Sequence, residues 1–567
     1  MNSAILALLA LIGYIIAYRT YGRFIGRKIL GISNENKMPA HELKDGVDFV
    51  PTKPHILFGH HFTTIAGLGP IVGPAIGIIW GWLPAFLWVF LGSIFMGAVH
   101  DFSTMVVSAR NKGMTMGELT GKIISPSTRY ALQFIMQLLL FIVLAVFAMI
   151  VATLFYNYPE AVLPVWLQVP IALWLGWEIR KGKNDLVYSI IALVLMYATV
   201  FLGVRFPIVL PGDQQTVVVT WSVLLFIYVF FASTTPVHKL LQPRDYINSH
   251  QLFIAMALLL IGLGVAHPEI SAPAINQQAF AADSDVPSMA PILFIIIACG
   301  AISGFHSLAS SGTTVKQLDK ESHSRAIGYG SMITESFLAV LVILAIAGGL
   351  GMGVEIDGEL FTGADAFKHH YASWSSANGL GAKLSAFISG GANLFSAIGI
   401  PQRFGEVMIS VFIVSFANTT LDSAARIQRL SLQEIFINKE GVVRKPVNNR
   451  YVATGIVVVL AAIMTFLKPG GQGAMVLWPL FGSLNQLMAA LALGVVTVYL
   501  YTKKRPIIYT FIPMLFVLVI TLWAMVKNGL GFLEQNDYLL VVLSVLIITL
   551  TLWLVISSFK ALFSRSQ

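Results

Sequence analysis

The sequence predicts an all-α polytopic membrane protein of about 15 transmembrane helices. Three observations predict it. Hydrophobic residues make up 56% of the 567-residue chain and charged residues only 11%, against about 25% charged in a soluble domain. Apolar runs long enough to cross a bilayer recur along the whole chain. Lys and Arg gather in alternate loops between them, as the positive-inside rule requires. Length alone would suggest roughly four soluble domains. With 36 basic and 27 acidic residues there is too little charge to cover them, and mean hydropathy is +0.78.

Each element follows in order. Run 2–18 lacks a basic leader and a small-residue cleavage site. Arg19, Arg23, Arg27 and Lys28 follow it, so it reads as a first spanning helix with its N-terminus outside. Further runs lie near 61–79, 83–108, 129–155, 162–179, 186–205, 217–236, 250–266 and 291–311. The rest lie near 326–350, 405–421, 451–468, 474–501, 507–526 and 537–559. Loop 267–290 holds no Lys or Arg, and 351–383 holds few. The charge alternation survives only if 384–421 crosses once, so Gly-rich 384–400 is read as re-entrant or half-spanning. The C-terminus then lies inside. Segment 422–437 has helical apolar spacing with basic residues between, and is read as an amphipathic helix on the cytoplasmic surface.

Composition excludes a disordered chain, a disulfide scaffold and a nucleic-acid binder. The single Cys299 is read as a packing residue. The net charge of +9 follows from the cytoplasmic loops and needs no acidic partner. No P-loop, H-E-x-x-H or G-x-S-x-G pattern occurs, so no enzyme is expected. No metal site is expected either, because the histidines lack ligand spacing.

The most informative stretch is 59–77, GHHFTTIAGLGPIVGPAIG. Gly67, Gly69, Gly73 and Gly77 lie inside a span together with Pro70 and Pro74, with Gly59 at its mouth. Proline breaks the helical ladder. A discontinuous helix offers N–H groups to a carboxylate and carbonyls to a cation. The competing reading is a glycine-packed helix contact with a kink. In 298–318 the hydroxyls of Ser303, Ser307, Ser310, Ser311, Thr313 and Thr314 concentrate at a helix end. They can complete an oxygen shell around a small cation, bond a polar substrate, or bond back to their own helix.

In 231–246, Thr234, Thr235 and Pro236 break an apolar run, and Arg244 with Asp245 reads as a cytoplasmic ion pair or gate. In 416–426, Asn418, Thr419, Thr420 and Asp422 either line a polar path or cap a helix. Ionisable residues within spans default to functional hypotheses. Here these are His60, His61, His100, Asp101, His306 and Glu335. Histidine titrates near neutral pH, which suits proton coupling.

These stretches, with MGAVHDF at 96–102, QPRDY at 242–246 and ACGAISGFHSLASSGTT at 298–314, occur in order. Together they resemble the carbon-starvation protein (CstA) family of bacterial inner-membrane transporters, from about residue 1 to about residue 500. The resemblance implies ion-coupled uptake of short peptides or of a small carboxylate such as pyruvate. It also implies the amino acid–polyamine–organocation superfamily, whose leucine-transporter-type core has two inverted five-helix repeats with broken helices. On that mapping 61–79 is core helix one, 217–236 is the sixth with its break at Ser233–Pro236, and 291–311 is the eighth. Gly67–Pro70 would then face Ser310–Thr314 across a cation.

The expected organisation is an N-terminal helix and loop at 1–60, a transport core at 61–425, an amphipathic segment at 426–450 and accessory helices at 451–567. Candidate substrate-binding residues are Thr63, Thr64, Ala66, Gly67, Gly69, Thr234, Thr235, Ser303, His306 and Ser307. Candidate ion ligands are Ser310, Ser311, Thr313 and Thr314. Candidate proton-coupling or gating residues are His60, His61, His100, Asp101, Arg244 and Asp245. Na+ or H+ is the coupling ion, and no other cofactor is expected. The partners are the small-molecule substrate and the lipid bilayer, and the helices beyond a ten-helix core offer surface for a homodimer. Rival readings are a passive channel, a membrane nutrient sensor and a membrane-embedded enzyme.

Overall fold

The computed structural model describes residues 2–356, 358–437 and 443–564. The helices that build the membrane body and its breaks, in chain order, are α1 (Ser3–Leu30), α2 (Pro54–Ile65), α3 (Gly69–Gly77), α4 (Trp82–Ala109), α5 (Thr128–Asn157) and α6 (Pro159–Arg180). Next come α7 (Asp185–Arg205), α8 (Gln214–Thr234), α9 (Leu241–Ala266), α10 (Met289–Ile296), α11 (Gly304–Gly312) and α12 (Glu321–Met352). The last are α13 (Leu380–Ala397), α14 (Gln402–Ile435), α15 (Arg450–Phe466), α16 (Pro469–Thr502), α17 (Ile508–Glu534) and α18 (Tyr538–Leu562). One small antiparallel hairpin, Val354–Ile356 with Glu359–Phe361, follows α12.

Twelve of these helices are long and apolar enough to cross a membrane, and the bent pair α2–α3 makes up to 13 spans. By length and apolarity this falls two short of the expected count of about 15, for two local reasons. The run at 291–311 is not one helix but two short ones, α10 and α11, with 297–303 unwound between them. The run at 451–468 is a helix of only 17 residues. At about 1.5 Å per residue it is roughly 25 Å long, short of the roughly 30 Å hydrocarbon core.

Three other expectations change. Segment 422–435 is no separate surface helix, because it continues the 34-residue α14, and the expected boundary at 425/426 falls inside that helix. Asp422, Ser423, Arg426, Gln428 and Arg429 are buried there. The basic residues that suggested a surface face point into protein. Segment 384–400, expected as re-entrant or half-spanning, lies mostly within α13, which is not one of the twelve candidate spans. The break expected in 217–236 is absent, because α8 runs unbroken to Thr234 and simply ends.

The outer helices present apolar side chains outward: Leu8 and Leu9 on α1, Val194 on α7, and Val542 and Val545 on α18. The inside holds the polar groups. α16 is buried along its whole apolar window, and α12 almost wholly. The loops sort to two ends. At one, Arg110 pairs with Glu321 (2.6 Å), Lys53 with Asp185 (2.8 Å), and Arg429 with Asp48 (2.9 Å). At the other, Ser3 bonds the Pro268 carbonyl (2.8 Å), Trp80 the Pro287 carbonyl (2.9 Å), and Asp285 accepts from the Trp374 N–H (2.8 Å). The basic loops that sequence grouped together meet at the first end.

Candidate functional site

The site is built on two discontinuous helices that meet at their breaks. Between α2 and α3 the chain bends by 44° over Ala66–Leu68. Pro70 stands in the first turn of α3, where its missing N–H costs nothing, but it cannot bond back to the Ala66 carbonyl. That stops α2 and starts α3 afresh. Thr420 of α14 donates to the Thr64 carbonyl (3.1 Å), satisfying one group at the end of α2.

The second break, 297–303, is held by side chains from neighbours. Trp88 donates to the Ile297 carbonyl (3.0 Å), and Gln486 to the Phe294 carbonyl (3.0 Å). Asn485 Oδ1 accepts from Ser303 Oγ (3.1 Å) and the Phe305 N–H (2.8 Å), while its amide donates to Cys299 Sγ (3.3 Å). Unwound backbone at membrane depth needs such partners. Glycine sets the contact between the breaks. A Cβ on Gly73 would lie 2.6 Å from the Ile296 oxygen, and one on Gly69 would overlap Cys299.

A cavity of about 460 Å3 opens over this contact. Leu68, Gly69 and Gly73 line it from the first broken pair, and Ala298 and Cys299 from the second. Phe147, Trp374, Trp478 and Phe481 supply apolar walls. Asn378, Lys383 and Asn485 supply polar groups. Two other voids, of about 600 and 590 Å3, touch neither break.

On the basic-loop side of the breaks lies a fully buried set of ionisable groups. His306 Nδ1 is 2.9 Å from Asp101 Oδ2, and His100 Nδ1 is 2.7 Å from Asp101 Oδ1. His306 Nε2 stands 3.3 Å from Glu335. A second chain starts at His60, whose Nδ1 is 2.5 Å from Asp245 and whose Nε2 is 3.2 Å from Thr313 Oγ1. His61 Nδ1 meets Thr314 Oγ1 at 2.9 Å. Arg244 pairs with Asp422, which also accepts from Tyr228 (2.8 Å).

The expected site residues thus divide. Ala66 and Gly67 form the first break, Gly69 lines the cavity, and Ser303 closes the second break. His60, His61, His100, Asp101, His306, Arg244 and Asp245 all lie in the buried polar interior. Others are placed elsewhere. Thr63, Ser307 and Ser311 bond back to carbonyls of their own helices. Thr234 and Thr235 do the same, near Arg426 and away from the cavity. Thr64 reaches Ser423 on α14 (3.1 Å). Thr313 and Thr314 contact His60 and His61, and the break meets Cys299 and Gly300 instead of Ser310–Thr314. Arg244 and Asp245 form the expected ion pair (3.9 Å), and it is buried, with Arg244 1% exposed. Among the described residues no group of three His, Cys, Asp or Glu side chains is arranged to hold a metal ion.

Sequence reading passed over Tyr228, Asn485 and Lys383. Asn485 and Gln486 did carry a signal, as two amides within a long apolar run. Tyr228 carried none, and Lys383 looked like a loop charge.

Broken helices meeting under a cavity, backed by buried ionisable groups, define a polytopic membrane transporter. The comparisons make the class particular. The family model described as carbon starvation protein CstA matches residues 2–524. The peptide transporter CstA of Campylobacter jejuni is 33% identical, over 92% of this chain and 80% of its own. The pyruvate/proton symporter BtsT of Escherichia coli is 33% identical, over 92% and 81%. The peptide transporter CstA of Bacillus subtilis is 30% identical, over 99% and 97%. The chain belongs to the carbon starvation protein CstA family. Among solved structures it is similar to a manganese transporter of Eremococcus coleocola (12% identical, TM-score 0.49, 92% of this chain and 99% of that one). It is also similar to MhsT in complex with L-phenylalanine (12% identical, TM-score 0.45, 84% and 98%).

Proposed function

We propose that this chain is a proton-coupled symporter that imports a short peptide or a small carboxylate such as pyruvate across the bacterial cytoplasmic membrane. The observation that carries this reading is that two helix breaks meet on one cavity, with Asp101, His306 and Glu335 buried behind them. The names of the relatives, peptide transporter and pyruvate/proton symporter, support the substrate class and the ion.

In this reading α2–α3 and α10–α11 are the two opposed discontinuous helices of an inverted-repeat core. They run in opposite senses between the two ends of the molecule. This moves the second break from 217–236 to the eighth span counted from α2–α3. By the positive-inside rule the basic end is cytoplasmic, which puts the N-terminus outside and the cavity mouth on the outer face. The amide groups where α3 begins attract the substrate carboxylate. His306 passes a proton between Asp101 and Glu335, and rocking of the helices about the breaks exposes the site alternately. Thr313 and Thr314 then serve the histidine chain, not a Na+ shell.

The test is uptake into proteoliposomes. Labelled pyruvate and dialanine are offered with an imposed pH gradient or an imposed Na+ gradient. Uphill accumulation that collapses with a protonophore is expected. Equilibration without accumulation would make the protein a channel, and dependence on Na+ alone would overturn the proton assignment.

A further inference from the structure

Lys383 is the one charged residue that lines the cavity among the described residues. It is 7% exposed, and it forms no ion pair there. Its position is doubly unfavourable for a cation. It is buried, and it sits in the first turn of α13, at the positive end of that helix. Here burial acts on the ammonium with no opposing charge and lowers its pKa.

The surroundings share its sign. α13 packs against α3, and the start of α3, Leu68–Gly69, lines the same cavity. Both helices therefore turn their positive ends toward this region. No carboxylate lines it. Asp101 and Glu335 are wholly buried behind the breaks, and Asp285 is occupied with the N–H groups of Trp374 and Ser375 (2.8 and 3.1 Å). Asn378, Asn485, Asn528 and Gln535 are the neutral amides that line the cavity. Volume does not choose the ligand, since about 460 Å3 admits a dipeptide as readily as a three-carbon acid. Charge does choose. A peptide's ammonium would meet a cation and no anion.

We infer that Lys383 is the anion anchor of this cavity, and that it selects a small monocarboxylate over a zwitterionic peptide. The inference rests on the cavity being the substrate's route, as proposed above. It goes further in naming the residue and in choosing between the two substrate classes.

The experiment uses the full chain in proteoliposomes with labelled pyruvate. In the wild type, propionate should inhibit uptake at a concentration at least about tenfold lower than propionamide or dialanine, the effect of one charge-assisted contact. Lys383→Met should raise the KM for pyruvate by about tenfold or more with a smaller change in kcat, and should abolish the preference for propionate over propionamide. Lys383→Arg should keep both near the wild type. The wild-type inhibitor series needs no variant, so misfolding of Lys383→Met cannot hide the answer. A wild type that takes up dialanine in preference, or a Lys383→Met with unchanged KM and preference, overturns the inference and leaves transport standing. A wild type that moves neither pyruvate nor dialanine overturns the transport reading as well.

Discussion

His306 Nδ1 lies 2.9 Å from Asp101 Oδ2, in a position where neither side chain is exposed. The two are 205 residues apart in sequence. They meet because α11 restarts at Gly304, where the Asn485 carbonyl and Met488 leave no room for a Cβ.

This pair should govern coupling. Asp101→Asn and His306→Gln should each reduce pH-gradient-driven accumulation by about tenfold or more, a typical loss for a removed proton-transfer group. Substrate exchange at equal pH should survive in both. Parallel measurement of driven uptake and of exchange checks this. Equal loss of the two activities would mean a structural role.

Glu335 makes a separate prediction. Neither of its carboxylate oxygens has a hydrogen-bond partner, and His306 Nε2 stands 3.3 Å away. Glu335→Gln should preserve folding and shift the pH dependence of uptake. An unchanged pH profile would remove Glu335 from the proton path.

Arg244, Asp422 and Tyr228 form a buried charged cluster joining α9, α14 and α8. Removing one partner of such a pair costs about 3–5 kcal/mol, because the other charge is left stranded. Arg244→Leu should therefore lower the thermal unfolding midpoint in detergent sharply. Adding Asp422→Leu should recover part of the loss. A double variant worse than either single variant would show that the charges do more than neutralise each other.

Gly73 sets how closely the two breaks approach. A methyl there would meet the Ile296 oxygen and the Ile297 Cα, both backbone atoms that cannot swing aside. Gly73→Ala should impair transport, while Gly264→Ala, with nothing within 4 Å of the new carbon, should be silent. Uptake rates of the two variants, normalised to protein inserted, test the contrast.

At the basic end, burial alone would raise the Asp48 pKa, but the guanidiniums of Arg429 and Arg426 outweigh it and hold the carboxyl well below 3.8. A depressed folded-state pKa gives stability that is complete above the ordinary value and is lost as pH falls below it. The stabilisation from Asp48 should thus be constant from neutral pH down to about 5 and fade only below about 4. Asp48→Asn should lower the midpoint at pH 6 and flatten the acid decline. Unfolding midpoints of both proteins between pH 3 and pH 7 measure it.

The first break was legible because its cause is local: Pro70 beside Gly67 and Gly69 cannot continue a helix whatever surrounds it. The second was half legible. Its small and hydroxyl residues stood out, but its unwinding at 297–303 depends on Trp88, Asn485 and Gln486 reaching it from other helices. The basic residues of 422–435 misled because helical spacing states which side chains share a face and not what that face meets. Arg426 and Arg429 meet Asp48, 378 and 381 residues earlier in the chain.

What the sequence alone determined is the membrane-spanning class, the sorting of basic loops to one end and the proline break. Each follows from composition or from neighbours along the chain, where hydropathy and backbone sterics act without reference to the fold. Tertiary structure decided which discontinuous helix faces the first, which hydroxyls are free of their own backbone, and that Lys383 turns into the cavity without a partner. Those outcomes depend on side chains brought together from distant helices. Burial then sets how much each charge matters, and no local pattern encodes burial.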